Sequence, residues 1–522
     1  MDAEGVIYMG FCSVTTAAVS GLKVELVRVE ADISSGLPGF HLVGYLSSEV
    51  KEASERVRTA IRNMNVSIPP RKITVNLSPA WVRKRGTAFD LPVAAALLGA
   101  LGLFSPGRLE GVFLAGELGL DGRIHPVEGI LPMVLEAKEQ GCRIFLLPRE
   151  NTREGALAEG AEILGASTLA EVAGWLKTGE GLYREPNRSR KNPAHGTGTL
   201  DIDYSDIHGQ EGVKRATLVA VAGNHSILYI GPPGSGKTMM ARRIPTILPP
   251  PGREESMELT KIYSIMGLLQ PEKPLITVRP FREVHHSVTR AALIGGGRIP
   301  VPGECTLAHG GVLFLDELPE FSRTVLESLR QPLEEKCVHL ARNQGSCCFP
   351  ADFMLAAAMN PCPCGYYPDY RICGCTDAQI QGYLGKISQP FLDRIDICAE
   401  APRVSWQALG KSSEKEWSSA VMREKVEKAR EIQKKRFRGR NIRTNSQMGE
   451  KELARWCRVG KDCREMMEQA YEQLGLTARS FQKILRVART VADLEGSTEI
   501  EQVHLAEALG YRVTDKKYWS GR

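Results

Sequence analysis

The chain of 522 residues carries 67 Lys and Arg against 61 Asp and Glu, a formal net charge of +6, with 43% hydrophobic and 25% charged residues. At roughly 100–200 residues per domain this length predicts about three domains, and the ordinary charged and apolar fractions exclude a disordered chain and a disulfide-stapled mini-fold. The small positive charge permits an anionic partner without demanding one.

Taken in chain order, residues 1–182 mix short strand-like runs with helical ones. Val24–Val29 and Ile73–Leu77 alternate as strands do, Ile144–Leu147 is a short apolar run, and Glu49–Met64 has helical spacing with charge on one face. Leu91–Phe104 is apolar but only 14 residues long, short of the about 18–20 residues of a membrane span, and its Leu-Pro start suits a buried helix. Neither a membrane nor a secretory route is expected. Thirteen cysteines without a framework spacing fit a reducing cytoplasm. Positions 183–200, rich in Arg, Pro, Gly and polar residues, are expected to form a linker. A second domain is expected over 201–403 and a charged helical one over 404–522.

The strongest motif opens the second domain. Gly231, Pro232, Pro233, Gly234, Ser235, Gly236, Lys237 and Thr238 spell GxxxxGK[ST] between the apolar run Ile227–Ile230 and a predicted helix. That strand–loop–helix setting makes a nest of backbone N–H groups at a helix N-terminus, suited to ATP phosphates. Lys237 would reach the β- and γ-phosphates, and Thr238 would ligate Mg²⁺. The apolar run Val312–Leu315 ends in Asp316 and Glu317. Asp316 would hold Mg²⁺ and Glu317 would polarise the attacking water; the plain alternative is a helix cap. A further apolar run, Phe353–Ala357, leads to Asn360, an amide able to orient that water. Immediately beyond, Cys362, Cys364, Cys373 and Cys375 form CxC-x8-CxC. Four thiolates so spaced can surround one tetrahedral Zn²⁺; the alternative is reduced, unliganded thiols, with Cys347 and Cys348 as reserve ligands.

These features together resemble AAA+ ATPases of the branch shared by magnesium-chelatase motor subunits and minichromosome-maintenance helicases. The resemblance is closer to the ComM/YifB family, carried by GLPGFHLVG (36–44), ITVNLSPA (73–80), GTAFDLPVA (86–94), PGECTLAHGGVLFLDELPEF (302–321), LRQPLEE (329–335), AAMNPCPCG (357–365) and PFLDRID (390–396). It implies an α/β protein with three parts: a Lon-protease-like domain of ribosomal-S5 type, a P-loop AAA+ core and a C-terminal helical lid. It also implies that Asn360 is a sensor, that Arg394 is an arginine finger for a neighbouring subunit's ATP, and that Arg479 is a second sensor. A surface ion pair is the plain reading of either arginine. A finger acting between subunits implies a ring, a hexamer by resemblance.

In the Lon-like region the expected serine neighbourhood reads Arg85-Gly86-Thr87-Ala88-Phe89 and the expected lysine neighbourhood reads Val127–Pro132. Neither holds its Ser–Lys dyad member, so proteolysis is not expected. In the resembling helicases a hairpin projects into the ring channel; Leu333–Pro350 falls at that place, with Arg342 at its tip to meet DNA phosphate. His285 and His286, in an upstream insert at 258–299, are candidate channel residues, with plain loop packing the equal alternative. Positions 421–443 carry ten Lys and Arg against three Glu, a solvated helix face or a nucleic-acid contact. The expected function is a ring-forming Mg-ATP-dependent DNA motor, a branch-migration helicase on single-stranded or branched DNA in recombination or natural transformation. A chelatase-type protein remodeller and a nucleotide-gated scaffold are the alternatives.

Overall fold

Strands β1 (Phe11–Ser20) and β2 (Lys23–Ser34) pair antiparallel from Phe11↔Asp32 to Ser20↔Lys23, and the reversal falls on Gly21, whose φ of +64° would strain a side chain. The computed structural model to which they belong describes residues 10–186, 202–297, 300–342, 345–404 and 415–519. The chain divides into two compact units, Met1–Ala194 with Gly252–Ile276, and His195–Pro251 with Thr277–Arg522.

In the first unit β3 (Gly39–Val43) runs parallel to β4 (Lys72–Ser78), which pairs antiparallel with β2. Adding β5 (Val112–Leu114), β6 (Ile144–Pro148), β7 (Glu162–Ala166) and β8 (Tyr183–Arg184) gives a sheet of order β8-β7-β6-β5-β1-β2-β4-β3. Helix α1 (Ser48–Asn63) buries Val50, Ala53, Val57, Ala60 and Ile61, the spacing of an amphipathic face. Helix α2 (Asp90–Ala100) is buried at every position, as a helix apolar all round must be. Asp90 enters that core neutralised by a two-point bond from Arg56 at 2.7 and 2.9 Å and by the Leu118 amide at 3.2 Å. Tyr183 and Arg184, read from sequence as the start of a linker, instead extend the sheet, and positions 187–201 lie outside the described residues.

The helix Arg253–Ile265 and the chain to Ile276 are an excursion of the second segment into the first unit. Ser264 Oγ donates to the buried Glu154 carboxylate at 2.5 Å, and the Leu131 amide donates to it at 2.8 Å. Burial raises the pKa of Glu154, and these donors partly counter it.

In the second unit β9 (Ile227–Ile230), β10 (Phe281–Val284), β11 (Val312–Leu315), β14 (Met354–Met359) and β15 (Ile397–Glu400) form an all-parallel sheet of order β10-β11-β14-β9-β15; β12 (Cys337–Arg342) and β13 (Gly345–Pro350) make a separate hairpin. Strands β9, β11 and β14 are buried throughout and read as unbroken apolar runs, as strands covered on both faces do. The C-terminal helices do not have a core of their own. Met422 and Val426 of the helix Ser419–Arg436, Ile484 and Val487 of Ala478–Leu494, and Leu505 share one cluster with Val219, Tyr229 and Phe314.

The basic segment at 421–443 is partly consumed by this packing. Arg423 bonds the Thr246 carbonyl at 2.8 Å, Arg430 the Val221 carbonyl at 2.7 Å, and Arg436 the buried Asp493 at 2.5 and 2.6 Å. Lys434, Lys435 and Arg438 remain exposed.

Candidate nucleotide site

All five parallel strands present their carboxyl ends to one edge, where open α/β sheets bind ligands. From Ile230 the chain turns through residues 231–236 into the helix Lys237–Ile247, with Gly234 and Gly236 at φ of +73° and +88°. At Gly231 any Cβ would lie 2.2 Å from the Ala401 carbonyl oxygen, so this position admits glycine alone. Lys237 Nζ lies back over the loop, donating to the Gly231 and Pro232 carbonyls, both at 2.8 Å, and to Asn360 Oδ1 at 3.2 Å. Burial brings its ammonium down to about 8, against the opposing pull of Asp316. Thr238 Oγ1 donates to Asp316 Oδ2 at 2.8 Å.

Glu317, one residue on, holds φ at +54°, and its amide donates to Asp316 Oδ1 at 2.9 Å. A left-handed backbone at a non-glycine residue is costly and persists where the site requires it. It turns the two neighbouring carboxylates to different tasks: Asp316 to Thr238, and Glu317 outward, 64% exposed. His286 Nε2 stands 4.0 Å from Glu317 Oε2, with the His285 ring 4.1 Å from the His286 ring. The pair follows edge strand β10 directly, on the loop at the carboxyl edge of the sheet beside Glu317.

Arg394 and Arg479 converge elsewhere. Both donate to Glu334 Oε1, at 2.7 and 2.6 Å; Arg394 also bonds the Pro390 carbonyl and is nearly buried, while Arg479 is half-exposed. Two residues past Arg394, Asp396 forms an ion pair with Lys483 at 2.8 Å and accepts from the Ser226 amide at 3.1 Å.

Cys362, Cys364, Cys373 and Cys375 bring their sulfurs within 4.8 Å of one another. The Gly365 and Tyr367 amides donate to Cys362 Sγ at 3.2 and 3.4 Å. Burial pushes the Cys364 thiol up, but the Tyr366 amide and the three neighbouring thiols bring it down to about 6, the thiolate state a metal takes. Gly365, at φ +85°, seats this knuckle on the phosphate loop: a Cβ there would lie 2.3 Å from Pro233 Cδ. At the predicted DNA-contacting hairpin, Arg342 pairs with Gly345 through its backbone, while its side chain lies outside the described residues.

Three family models cover most of the chain: "Magnesium chelatase, subunit ChlI" over residues 203–409, "Subunit ChlI of Mg-chelatase" over 29–151 and "Magnesium chelatase, subunit ChlI C-terminal" over 416–512. The chain is 40% identical over 507 residues to the competence protein ComM of Haemophilus influenzae, spanning 97% of this chain and 98% of that protein. It belongs to the ComM/YifB family of magnesium-chelatase-like AAA+ proteins. YifB of Escherichia coli is 40% identical over 508 residues, covering 97% of this chain and 98% of its own. The chain also matches Lon protease of Mycolicibacterium smegmatis, at 26% identity over 144 residues, 26% of this chain and 18% of that protein.

The structure thus gathers Lys237, Thr238, Asp316 and Asn360 at one edge with Glu317 and His286 beside them, and sets Arg394 and Arg479 on one carboxylate. Glu334, which joins the two arginines, had no role in the sequence reading. It stood in LRQPLEE as part of a family signature, and only its tertiary contacts mark it. Among the described residues no helix is long and apolar enough to cross a membrane.

Proposed function

We propose that this protein is a ring-forming, Mg-ATP-dependent DNA motor that migrates DNA branches during recombination, including recombination of incoming DNA in natural transformation. The observation that carries the reading is the contact set at the sheet edge, Lys237 with Asn360 and Thr238 with Asp316. ATP and Mg²⁺ fit it: a glycine-lined turn, a helix N-terminus, an ammonium resting on carbonyls it can exchange for phosphate oxygens, and a hydroxyl–carboxylate pair of the kind that holds Mg²⁺. Bound there, Mg-ATP supplies the hydrolysable phosphoanhydride. Lys237 binds its phosphates, Thr238 and Asp316 hold the cation, Asn360 orients a water, and Glu317, exposed and backed by His286, takes that water's proton.

Arg394 serves a neighbouring subunit's nucleotide on assembly into a hexamer, and Arg479, as second sensor, couples the helical lid to nucleotide state; each exchanges Glu334 for phosphate. A guanidinium fork suits both partners. The four-cysteine knuckle holds a structural Zn²⁺ that braces the loop after Asn360. Arg342 at the hairpin tip contacts DNA backbone, and the exposed Lys434, Lys435 and Arg438 add local positive charge within a Debye length. The name of the Haemophilus relative, a competence protein, favours the transformation setting.

Four-way-junction migration by the wild type beside Glu317→Gln tests the reading. Migration by the wild type alone, with ATP turnover stimulated by branched or single-stranded DNA, is expected. Turnover indifferent to DNA would instead favour the chelatase-type remodeller, which the three chelatase family matches support.

A further inference from the structure

The β12–β13 hairpin carries a second group of metal-ligating side chains, separate from the four-cysteine knuckle. Pairing sets His339 opposite Cys348, and Cys337 precedes His339 by two on the same strand. Side chains alternate along a strand, so Cys337, His339 and Cys348 share one face. The opposite face carries Val338, Leu340 and Phe349, all buried. The three donor atoms lie within 4.8 Å of one another, with Cys337 Sγ 3.1 Å from His339 Nε2. Glu335 Oε2 is 3.7 Å from the same ring nitrogen.

Several features distinguish this group from chance. Cysteine is among the residues most often buried, yet here Cys348 and His339 are exposed and Cys337 is partly so. Zinc–sulfur and zinc–nitrogen bonds of about 2.3 and 2.0 Å imply ligand separations of about 3.3–3.8 Å in a tetrahedron. The three donors, all within 4.8 Å of one another, stand near that spacing. Two thiolates and an imidazole are a donor set that selects zinc over magnesium or calcium.

We infer that the hairpin binds a second Zn²⁺ through Cys337, His339 and Cys348, with Glu335 or water in the fourth position. The ion links the two arms, fixing their register from the His339–Cys348 pair toward the tip at Arg342. Assigning Cys348 to the hairpin also removes it as a reserve ligand of the knuckle, whose four cysteines are complete without it.

The test uses the full-length chain kept reduced, equilibrated with zinc acetate, freed of loose metal by gel filtration and assayed by elemental analysis. Cys337→Ser/Cys348→Ser is expected to hold one zinc fewer per chain than the wild type, while Cys362→Ser/Cys364→Ser loses the other. A hairpin variant with the wild-type zinc content overturns the inference, whatever the knuckle variant does. Cobalt(II) added to the Cys362→Ser/Cys364→Ser protein provides a second measurement. Thiolate-to-metal charge-transfer absorption that disappears on adding Cys337→Ser/Cys348→Ser supports the site, and a knuckle variant with no such absorption refutes it.

Discussion

Arg394 and Arg479 donate to the same oxygen of Glu334, at 2.7 and 2.6 Å. One comes from PFLDRID and the other from the helix Ala478–Leu494, and a single carboxylate keeps both in place. If Arg394 reaches a neighbour's nucleotide, Arg394→Ala and Lys237→Ala should each abolish turnover, the former by about 10³-fold or more. Mixing the two inactive proteins should then restore activity at sites that combine an intact phosphate loop with an intact arginine. Absence of rescue in mixed assemblies would place the arginine in its own subunit's site.

Glu317→Gln should leave nucleotide affinity near the wild-type value while lowering turnover by about 10²–10⁴-fold, the range of a lost general base. Equilibrium binding of a fluorescent ATP analogue and phosphate release check the two halves separately. Unchanged phosphate release would remove Glu317 from the chemistry.

Asp396 ties the helix bearing Arg479 to the sheet through Lys483. Burial alone would raise the pKa of its carboxyl, but Lys483 and His225 hold it well below the usual range. A folded-state pKa below the unfolded value means that the unfolded chain binds the extra proton. The pair's stabilisation is therefore present above about pH 4 and lost as pH falls further. Asp396→Asn should lower stability at neutral pH by about 3–5 kcal/mol, because Lys483 is left buried and unpaired, and should flatten the acid side of the curve. Urea midpoints between pH 3 and 7 measure both effects.

Gly365→Ala should weaken nucleotide binding by roughly tenfold, since strain of about 1–3 kcal/mol at a positive φ and a clash with Pro233 must be relieved at the phosphate loop. Thiol titration and zinc content should remain those of the wild type. A fluorescent-nucleotide Kd equal to wild type would show that the knuckle and loop are mechanically independent.

Much of the nucleotide site is readable in the chain because it lies in contiguous strings. An apolar strand followed by a glycine turn, or by Asp316-Glu317, carries its own local structure. The arginine pair is different. LRQPLEE shows no periodicity or charge pattern that assigns Glu334 to residues 60 and 145 positions away, because that contact exists only after the sheet and helices pack. The helix Arg253–Ile265 is legible as a helix, but not its allegiance: Leu259 and Ile262 would suit any core. The place of His285 and His286 beside Glu317 is not legible, because Phe281–Val284 is a short edge strand lacking the unbroken apolar run that marks its neighbours.

The excursion through residues 252–276 changes what a domain boundary means for this protein. The backbone passes between the units three times, near 194, 251 and 276, instead of once. Cutting the gene after the first unit would strip the cover from Leu259 and Ile262, both buried, and leave Ser264 without Glu154. The truncated protein would carry a sticky helix and aggregate, whereas deletion of 1–194 together with replacement of 252–276 by a short polar loop would give a cleaner fragment. The first unit is thus a module in space without being one in the gene, and shuffling it by a single cut and join would break it.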